Sequence, residues 1–402
     1  MGRCLSLLCI GIAVMSILSC AGEGGASGVL SGGTQSGADG GRVAERLVMR
    51  GPHQATGEAS RITVLDTSVE ARFPSALVFK LEAESEQEIV DARLLYRVER
   101  MNYAEVTSEA WADVSPSRHV ETSWTWDMRR SSLPPETVVH YRWSITDALG
   151  NRQETAEKTV TFEDTRYDWQ RMTEGRINLF WYSGDDAFAG ELMEACQDGL
   201  DRLVQDMGVS PQGEIDLYIY ASSDDLQGAM IFPQEWTGGA AFTEFGTIAI
   251  GIAPDRLAWG KRAIVHELTH LVVHQATFNP YSDLPRWLDE GLAMYNEGEL
   301  AAGFVTHLEK AVVGGNLISV RTLCSGFSAH PERAYLAYAQ SYSLVEYLLS
   351  EHGHDSMLEL LDVFGAGSTY DGALEEVYGF DIEGLDRRWR EYVGEVVEVE
   401  KV

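Results

Sequence analysis

Cysteine is scarce where a folded body would use it. Of the five cysteines, Cys4, Cys9 and Cys20 fall in the first twenty residues, and only Cys196 and Cys324 lie beyond. No Cys-x-x-Cys occurs, which excludes a cysteine zinc knuckle and a dithiol redox pair. The two distal cysteines can form at most one disulfide, and sequence does not decide whether they meet. Basic charge is also thin: 31 Lys and Arg against 62 Asp and Glu give a formal net charge of −31. That excludes nucleic acid as a partner, since phosphates need a basic surface. It equally excludes docking by charge on anionic lipid. The acidic excess serves solubility and colloidal repulsion. Long apolar runs are missing beyond the N-terminus, so nothing in the rest of the chain reads as a membrane span. No internal repeat is present, which sets aside solenoids and propellers. What remains is a chain of 402 residues, long enough for two or three domains with cores of their own.

The N-terminus reads as an export signal. Met1-Gly2-Arg3 supplies one positive charge, residues 5–18 are mainly apolar, and Ser19-Cys20 follows. This is the pattern of a secretory signal, too short to span a bilayer comfortably. Ile17-Leu18-Ser19-Cys20 resembles the bacterial lipobox. The resemblance implies cleavage before Cys20, lipid on its thiol, and a protein held at the outer face of a bacterial membrane. An ordinary signal peptide with an incidental cysteine is the alternative. Residues 1–20 are thus expected to be a lipoprotein signal peptide, and residues 21–60 a flexible Gly/Ser-rich linker. The stretch 21–42 can bury no core, and as a flexible coil it reaches roughly 25 Å.

From 61 to 165 the dominant period is two. Val90, Ala92, Leu94, Tyr96 and Val98 alternate with Asp91, Arg93, Arg97 and Glu99. Val139, Tyr141, Trp143 and Ile145 alternate with His140, Arg142 and Ser144, and Trp124 and Trp126 share one side of a further strand. Such alternation marks half-buried strands, and about seven of them in a hundred residues predict an antiparallel sandwich. The stretch 141–147 resembles immunoglobulin-like or fibronectin-like modules. It offers no clustered His or carboxylate motif, so its expected role is a spacer or a substrate-positioning element.

From 166 to 402 the pattern changes. Residues 177–182 and 214–221 read as buried strands, 187–207 as a helix closed by Gly208, and 238–240 with 247–252 as a further strand pair. Helices are predicted over 259–276, 285–297, 301–313, 335–352 and 384–396. Strands followed by helices make this half α+β, so the fold class expected for the chain is multidomain, an all-β sandwich followed by an α+β domain.

The chemistry concentrates in His266-Glu267-Leu268-Thr269-His270. Ile264, Leu268, Leu271 and Val272 give helix 259–276 a buried stripe. His266 and His270, four apart, lie one turn apart on a neighbouring face, where two imidazoles can bind one cation together. Glu267 can reach a water on the same ion. This is the zincin pattern His-Glu-x-x-His, and Zn2+ is the expected cofactor. Catalytic zinc needs a third protein ligand and one open position. The next helix reads Pro285-Arg286-Trp287-Leu288-Asp289-Glu290-Gly291-Leu292-Ala293-Met294-Tyr295. Pro285 suits the first turn. Gly291 costs about 1 kcal/mol against alanine, which predicts a close approach of this helix to the His helix.

These residues resemble the gluzincin metallopeptidases, and in particular the peptidase MA-like domains. Their signature is His-Glu-x-x-His followed, about twenty residues on, by a helix of the type Trp-Leu-x-Glu-Gly-x-Ala. Here 19 residues separate His270 from Glu290. The resemblance covers about 167–402 and implies that the domain is zincin-like and that Glu290 is the third metal ligand. It also implies a role for the helix at 338–348, whose tyrosine in that group assists the oxyanion. Tyr338 matches the position, and Tyr342 is the reserve. Relatives of the thermolysin type carry an aspartate four residues after the ligand glutamate, where Met294 stands here, so the carboxylates that orient the rings must come from elsewhere.

Other candidates weigh less. His274 continues the same row, and three histidines in line do not converge easily on one ion. Asp289 points about 100° from Glu290 on a helix, which suits a supporting or surface carboxylate. His352 and His354 flank Gly353 at a helix end, where a dipole or surface role is expected. The metzincin arrangement fails because Val273 and Ala276 occupy its required positions. No Gly-x-Met-Glu-Asn stretch is present, which favours an endopeptidase over an aminopeptidase. The expected function is zinc-dependent hydrolysis of a protein or peptide substrate by an exported, membrane-anchored enzyme, with Glu267 and Tyr338 catalytic. A non-catalytic surface lipoprotein that binds a protein or cell-wall partner is the alternative. A zinc hydrolase acting on another bond is a third reading.

Overall fold

The computed structural model describes residues 62–101, 104–130, 132–231 and 238–399. The signal-peptide and linker expectations, residues 1–60, lie outside the described residues.

Seven antiparallel strands come first: β1 (Thr63–Arg72), β2 (Ala76–Val98), β3 (Ser108–Trp111), β4 (Ser117–Asp127), β5 (Thr137–Asp147), β6 (Arg152–Glu154) and β7 (Lys158–Phe162). Hydrogen bonds join them in one sheet through the 23-residue β2. The first half of β2 pairs with β1 and β4, and its second half pairs with β3 and β5. The pleat puts Val139, Tyr141, Trp143 and Ile145 into one core with Phe79, Leu94 and Phe162, as the period of two requires. Val90 departs from the alternation read in the sequence. It is 41 % exposed while Ile89 is fully buried, because a register shift between Ile89 and Asp91 adds a residue to the strand and turns its side chain outward.

The second half is built on a five-stranded sheet with the order β11-β12-β10-β9-β8. Its members are β8 (Gln170–Glu174), β9 (Ile177–Trp181), β10 (Ile215–Tyr220), β11 (Gly239–Phe242) and β12 (Thr247–Gly251). The three central strands are parallel, and the edge strands β8 and β11 are antiparallel to their neighbours. Between β9 and β10 runs α1 (Asp186–Met207), started by the Asp185 carboxylate accepting from the Phe188 amide and closed by Gly208 at φ 65°. A short α2 (Ser223–Gln227) follows β10. The remaining helices are α3 (Leu257–Ala276), α4 (Arg286–Asn296), α5 (Ala302–Gly314), α6 (Val320–Leu323), α7 (Pro331–Gly365), α8 (Tyr370–Tyr378) and α9 (Ile382–Val399).

The expected helices at 259–276, 285–297, 301–313 and 384–396 each coincide with one of these to within a few residues. The helix expected at 335–352 ends where Gly353 takes φ 82°, and a second helical stretch continues to Gly365. The exposed polar edge strand β8 lacks the burial pattern that marks an element in sequence, and the nine-residue α8, whose Tyr370, Ala373, Leu374, Val377 and Tyr378 pack on the core at helical spacing, is not among the expected helices.

One face of the second sheet carries Leu217, Ile219, Ile248 and Ile250 against α1 and α3. The other face carries Tyr218, Tyr220, Phe180 and Tyr182, and Phe73 from the β1–β2 turn packs on it. The two sheets meet again where the Met101 amide donates to the Glu244 carbonyl at 2.6 Å and Arg100 pairs with Glu244 at 3.1 Å. That contact holds the turn between β11 and β12 against the first sheet.

Glu136, at the start of β5, lies in this junction. Burial, and then the charges of Glu163, Asp216 and Asp164, push its carboxyl up to about 7. The folded state therefore favours its protonated form. Its contribution to stability is complete below the ordinary value of 4.5 and is lost as pH rises through about 7. Replacing Glu136 by Gln should flatten the fall in unfolding free energy between pH 5 and pH 8, read by urea titration at both pH values. Identical slopes for the two proteins would show that Glu136 does not feel its neighbours.

Candidate metal centre

The helix α3 is buried on nearly every side: residues 263–273 are all below a tenth exposed. It crosses the sheet between α1 and α4, and its polar groups have no water to face. His266 and His270 sit one turn apart on it, with ring centroids 4.8 Å apart and their Nε2 atoms 3.1 Å apart. From α4, Oε2 of Glu290 lies 3.3 Å from His266 Nε2 and 3.5 Å from His270 Nε2. All three residues are at most 2 % exposed. These residues form a group whose ligand atoms can hold one metal ion.

A buried carboxylate and two imidazoles turned toward one point form a place that a cation can fill. The donor set fits zinc. Four ligands at about 2.0–2.1 Å around a tetrahedral ion stand about 3.4 Å from one another, and the three separations found here are 3.1, 3.3 and 3.5 Å. Both oxygens of the neighbouring Glu267 are buried without a hydrogen-bond partner, an arrangement proteins avoid unless a ligand completes it.

The opposite nitrogens explain the ring orientations. Nδ1 of His266 donates to Glu297 at 2.7 Å, and Nδ1 of His270 donates to Asp289 at 2.6 Å. A carboxylate only accepts, so each ring carries a proton on Nδ1 and turns Nε2 to the shared point. Behind each carboxylate stands an arginine. Arg262 holds Glu297 at 3.0 Å, while Arg286 reaches Asp289 at 3.6 Å and Glu290 at 3.1 Å.

The ionisation of the cluster records its demand for positive charge. Burial would depress His266, but hydrogen bonds to Glu290 and Glu297 outweigh it and raise the ring to about 9. Against the same effect of burial, Asp289 and Glu290 raise His270 well above its ordinary value. Burial would raise the two carboxyls, yet His266 and His270 hold Glu290 down, and His270 and His274 hold Asp289 well below the usual range. Glu267 is raised, chiefly by burial, so it is the carboxylate most ready to take a proton.

The remaining residues singled out in the sequence fall as follows. His274 Nε2 meets Asp289 at 3.1 Å and shares that acceptor with His270; it turns to the supporting carboxylate, not to the shared point. Asp289 is itself buried, 3 % exposed. Tyr338 of α7 is 8 % exposed; burial and the Glu290 charge push its hydroxyl well above the usual value, with Arg286, Glu267 and Asp289 among its charged neighbours. Tyr342 faces a different set, Glu346 and Tyr295. His352 packs among Tyr378 and Phe380, and His354 bonds the Asp206 carbonyl at 2.6 Å; neither joins the cluster. Cys196 is buried and Cys324 half-buried, and both are free.

Gly291 differs from the expectation. A Cβ there would collide with the Ser341 carbonyl and stand 2.7 Å from Val345 Cγ2. The close approach it permits is therefore to α7, the helix of Tyr338, and not to the His helix.

Sequence reading missed Glu297, Arg286 and Gly239. Glu297 carried a signal: it lies seven residues, two turns, beyond Glu290 on the same face, past the Met294 that replaces the expected aspartate. Arg286 lies one turn before Glu290. Gly239 had no signal; a Cβ on it would come 2.8 Å from Glu267 Oε1, so a side chain there would push that carboxylate aside.

A family model described as the Peptidase MA superfamily matches residues 195–395, half of the chain. No curated protein shows significant similarity to the sequence.

The Gly291 contact gives a direct test of how Glu290 is held. Gly291→Ala should force α4 from α7 and cost about 1–3 kcal/mol, read by denaturant titration. Zinc affinity, measured against a competing chelator, should fall at least about tenfold. Unchanged affinity would mean that this helix contact does not set the position of Glu290.

Proposed function

The chain belongs to the Peptidase MA superfamily, and from that premise we propose that it is a zinc metallopeptidase of the gluzincin type, exported and anchored through lipid on Cys20, that cleaves within protein or peptide substrates. The observation that carries the reading is the convergence of His266, His270 and Glu290 at 3.1–3.5 Å with Glu267 buried and unpartnered beside them.

In this reading His266, His270 and Glu290 hold the ion. Zinc, when bound, supplies Lewis acidity that acidifies a nucleophilic water and polarises the scissile carbonyl. Glu267 accepts the proton of that water. Its raised affinity for protons, caused by burial, suits a general base. The same carboxyl then delivers the proton to the leaving amine. Tyr338 donates its hydroxyl hydrogen to the oxygen on which negative charge develops; burial keeps the phenol protonated for that task. Among the described residues, edge strand β11 pairs on one side only, with β12, and its Gly239 lies against Glu267. An extended peptide added to that edge brings a backbone carbonyl past the general base. The lipid anchor is supported by the Ile17-Leu18-Ser19-Cys20 stretch, and endopeptidase action by the absence of an amino-terminus reader from the sequence.

Three outcomes check the proposal. Cleavage of labelled casein by the purified protein should stop on chelation and return with zinc. Glu267→Gln should keep its zinc, measured by metal analysis, and lose at least about 10²-fold in kcat; full turnover in that variant rejects the base. Tyr338→Phe should lower kcat by about 10²–10³-fold with little change in KM, whereas Tyr342→Phe should not; the reverse pattern would exchange their roles. The anchor is read separately, by loss of radiolabelled palmitate from Cys20→Ser.

A further inference from the structure

Arg286 is the first residue of α4, and its side chain is 14 % exposed. Its guanidinium is shared between the carboxylates of two consecutive residues. One terminal nitrogen lies 3.1 Å from Oε1 of Glu290, and the other lies 3.6 Å from Oδ2 of Asp289. The remaining oxygens of the same two carboxylates face the histidines. Oε2 of Glu290 lies 3.3 and 3.5 Å from the two Nε2 atoms, and Oδ1 of Asp289 lies 2.6 Å from His270 Nδ1. Each carboxylate is thus divided, with one oxygen toward the arginine and one toward the metal side. The backbone of Arg286 is fixed as well, its amide donating to the Cys324 carbonyl at 3.3 Å.

We propose that Arg286 is a positioning residue that makes Glu290 a single-oxygen donor and so keeps one coordination position open. The proposal rests on the zinc reading of the site. A glutamate can offer an ion one oxygen or both. With both, two imidazoles and Glu290 alone would supply four donor atoms and fill a tetrahedral shell. Holding Oε1 aside leaves three donors and one position for water or substrate. The planar fork matters, because it meets two carboxylates at once; lysine is a single point charge on a flexible stem. Arg262 provides an internal comparison. It holds Glu297 at 3.0 Å, a carboxylate that orients a ring but is not among the three converging ligands.

The test uses the full-length protein in detergent, stripped of metal and loaded with Co2+, whose visible absorption reports coordination geometry, intense for four ligands and weak for five. The wild type should give the four-coordinate spectrum. Arg286→Met should weaken the bands several-fold as Glu290 binds through both oxygens alongside water, and should change zinc affinity by about 10–100-fold. Arg262→Met loses an arginine of the same cluster but should keep the wild-type spectrum, which separates positioning of Glu290 from general damage. If Arg286→Met does not fold, Arg286→Lys carries the test, since its charge without the fork should still shift the spectrum toward five ligands. A four-coordinate spectrum of wild-type intensity in the folded Arg286 variant overturns the proposal. A wild type that binds neither Co2+ nor Zn2+ overturns the zinc reading and this proposal with it.

Discussion

Four carboxylates and two imidazoles are enclosed together in the second half of this protein, and their mutual repulsion and lost hydration are the constraint around which that half is built. Glu267 and Glu290 are fully buried, with Asp289 at 3 % and Glu297 closing the group at His266. Isolated charges so placed would cost several kcal/mol each. Two arginines offset part of the charge from the outer side, Arg262 at Glu297 and Arg286 at Asp289 and Glu290. The inner side is left to whatever occupies the point between the two Nε2 atoms. Protons on the histidines can serve, as the raised His266 and His270 indicate. A divalent ion serves better, because it meets all three donors at once.

The helices are arranged to make that convergence possible. The candidate ligands on α3 are local, two side chains one turn apart. The third arrives from α4, and α4 sits where it does because Gly291 lets it close on α7 without a side chain between. The same contact brings Tyr338 within the field of Glu290 and Glu267. One missing Cβ therefore couples the metal-binding and oxyanion-stabilising parts of the proposed mechanism. A second missing Cβ, at Gly239, lets the edge strand β11 lie on Glu267. The first sheet contributes at a distance. Its Arg100 and Met101 grip the turn after β11, and Phe73 packs on the aromatic face of the second sheet, so the sheet whose edge lies beside the site is braced by the first.

Much of this was legible because local patterns dictate local structure. The spacing of His266 and His270 states their common face whatever the fold around them. The period of two over residues 139–145 put Val139, Tyr141, Trp143 and Ile145 in the core, where they are. The same rule misplaced Val90, because a bulge changes the phase of a strand and leaves no mark in its alternation. Strand β8 escaped notice since an exposed edge needs no apolar face.

The sequence by itself determined the histidine pair that shares one face, the helix that carries it, the general acidity of the chain and the strand-then-helix order. These follow from composition and from periods of two and 3.6 residues, which act within a few neighbours. Only the tertiary structure decided which carboxylate stands behind which ring, that Gly291 serves α7, and that Arg286 divides two carboxylates between itself and the histidines. Those are meetings of residues from different helices. Their geometry is set by packing, which places side chains to tenths of an ångström and has no periodicity for a sequence to display.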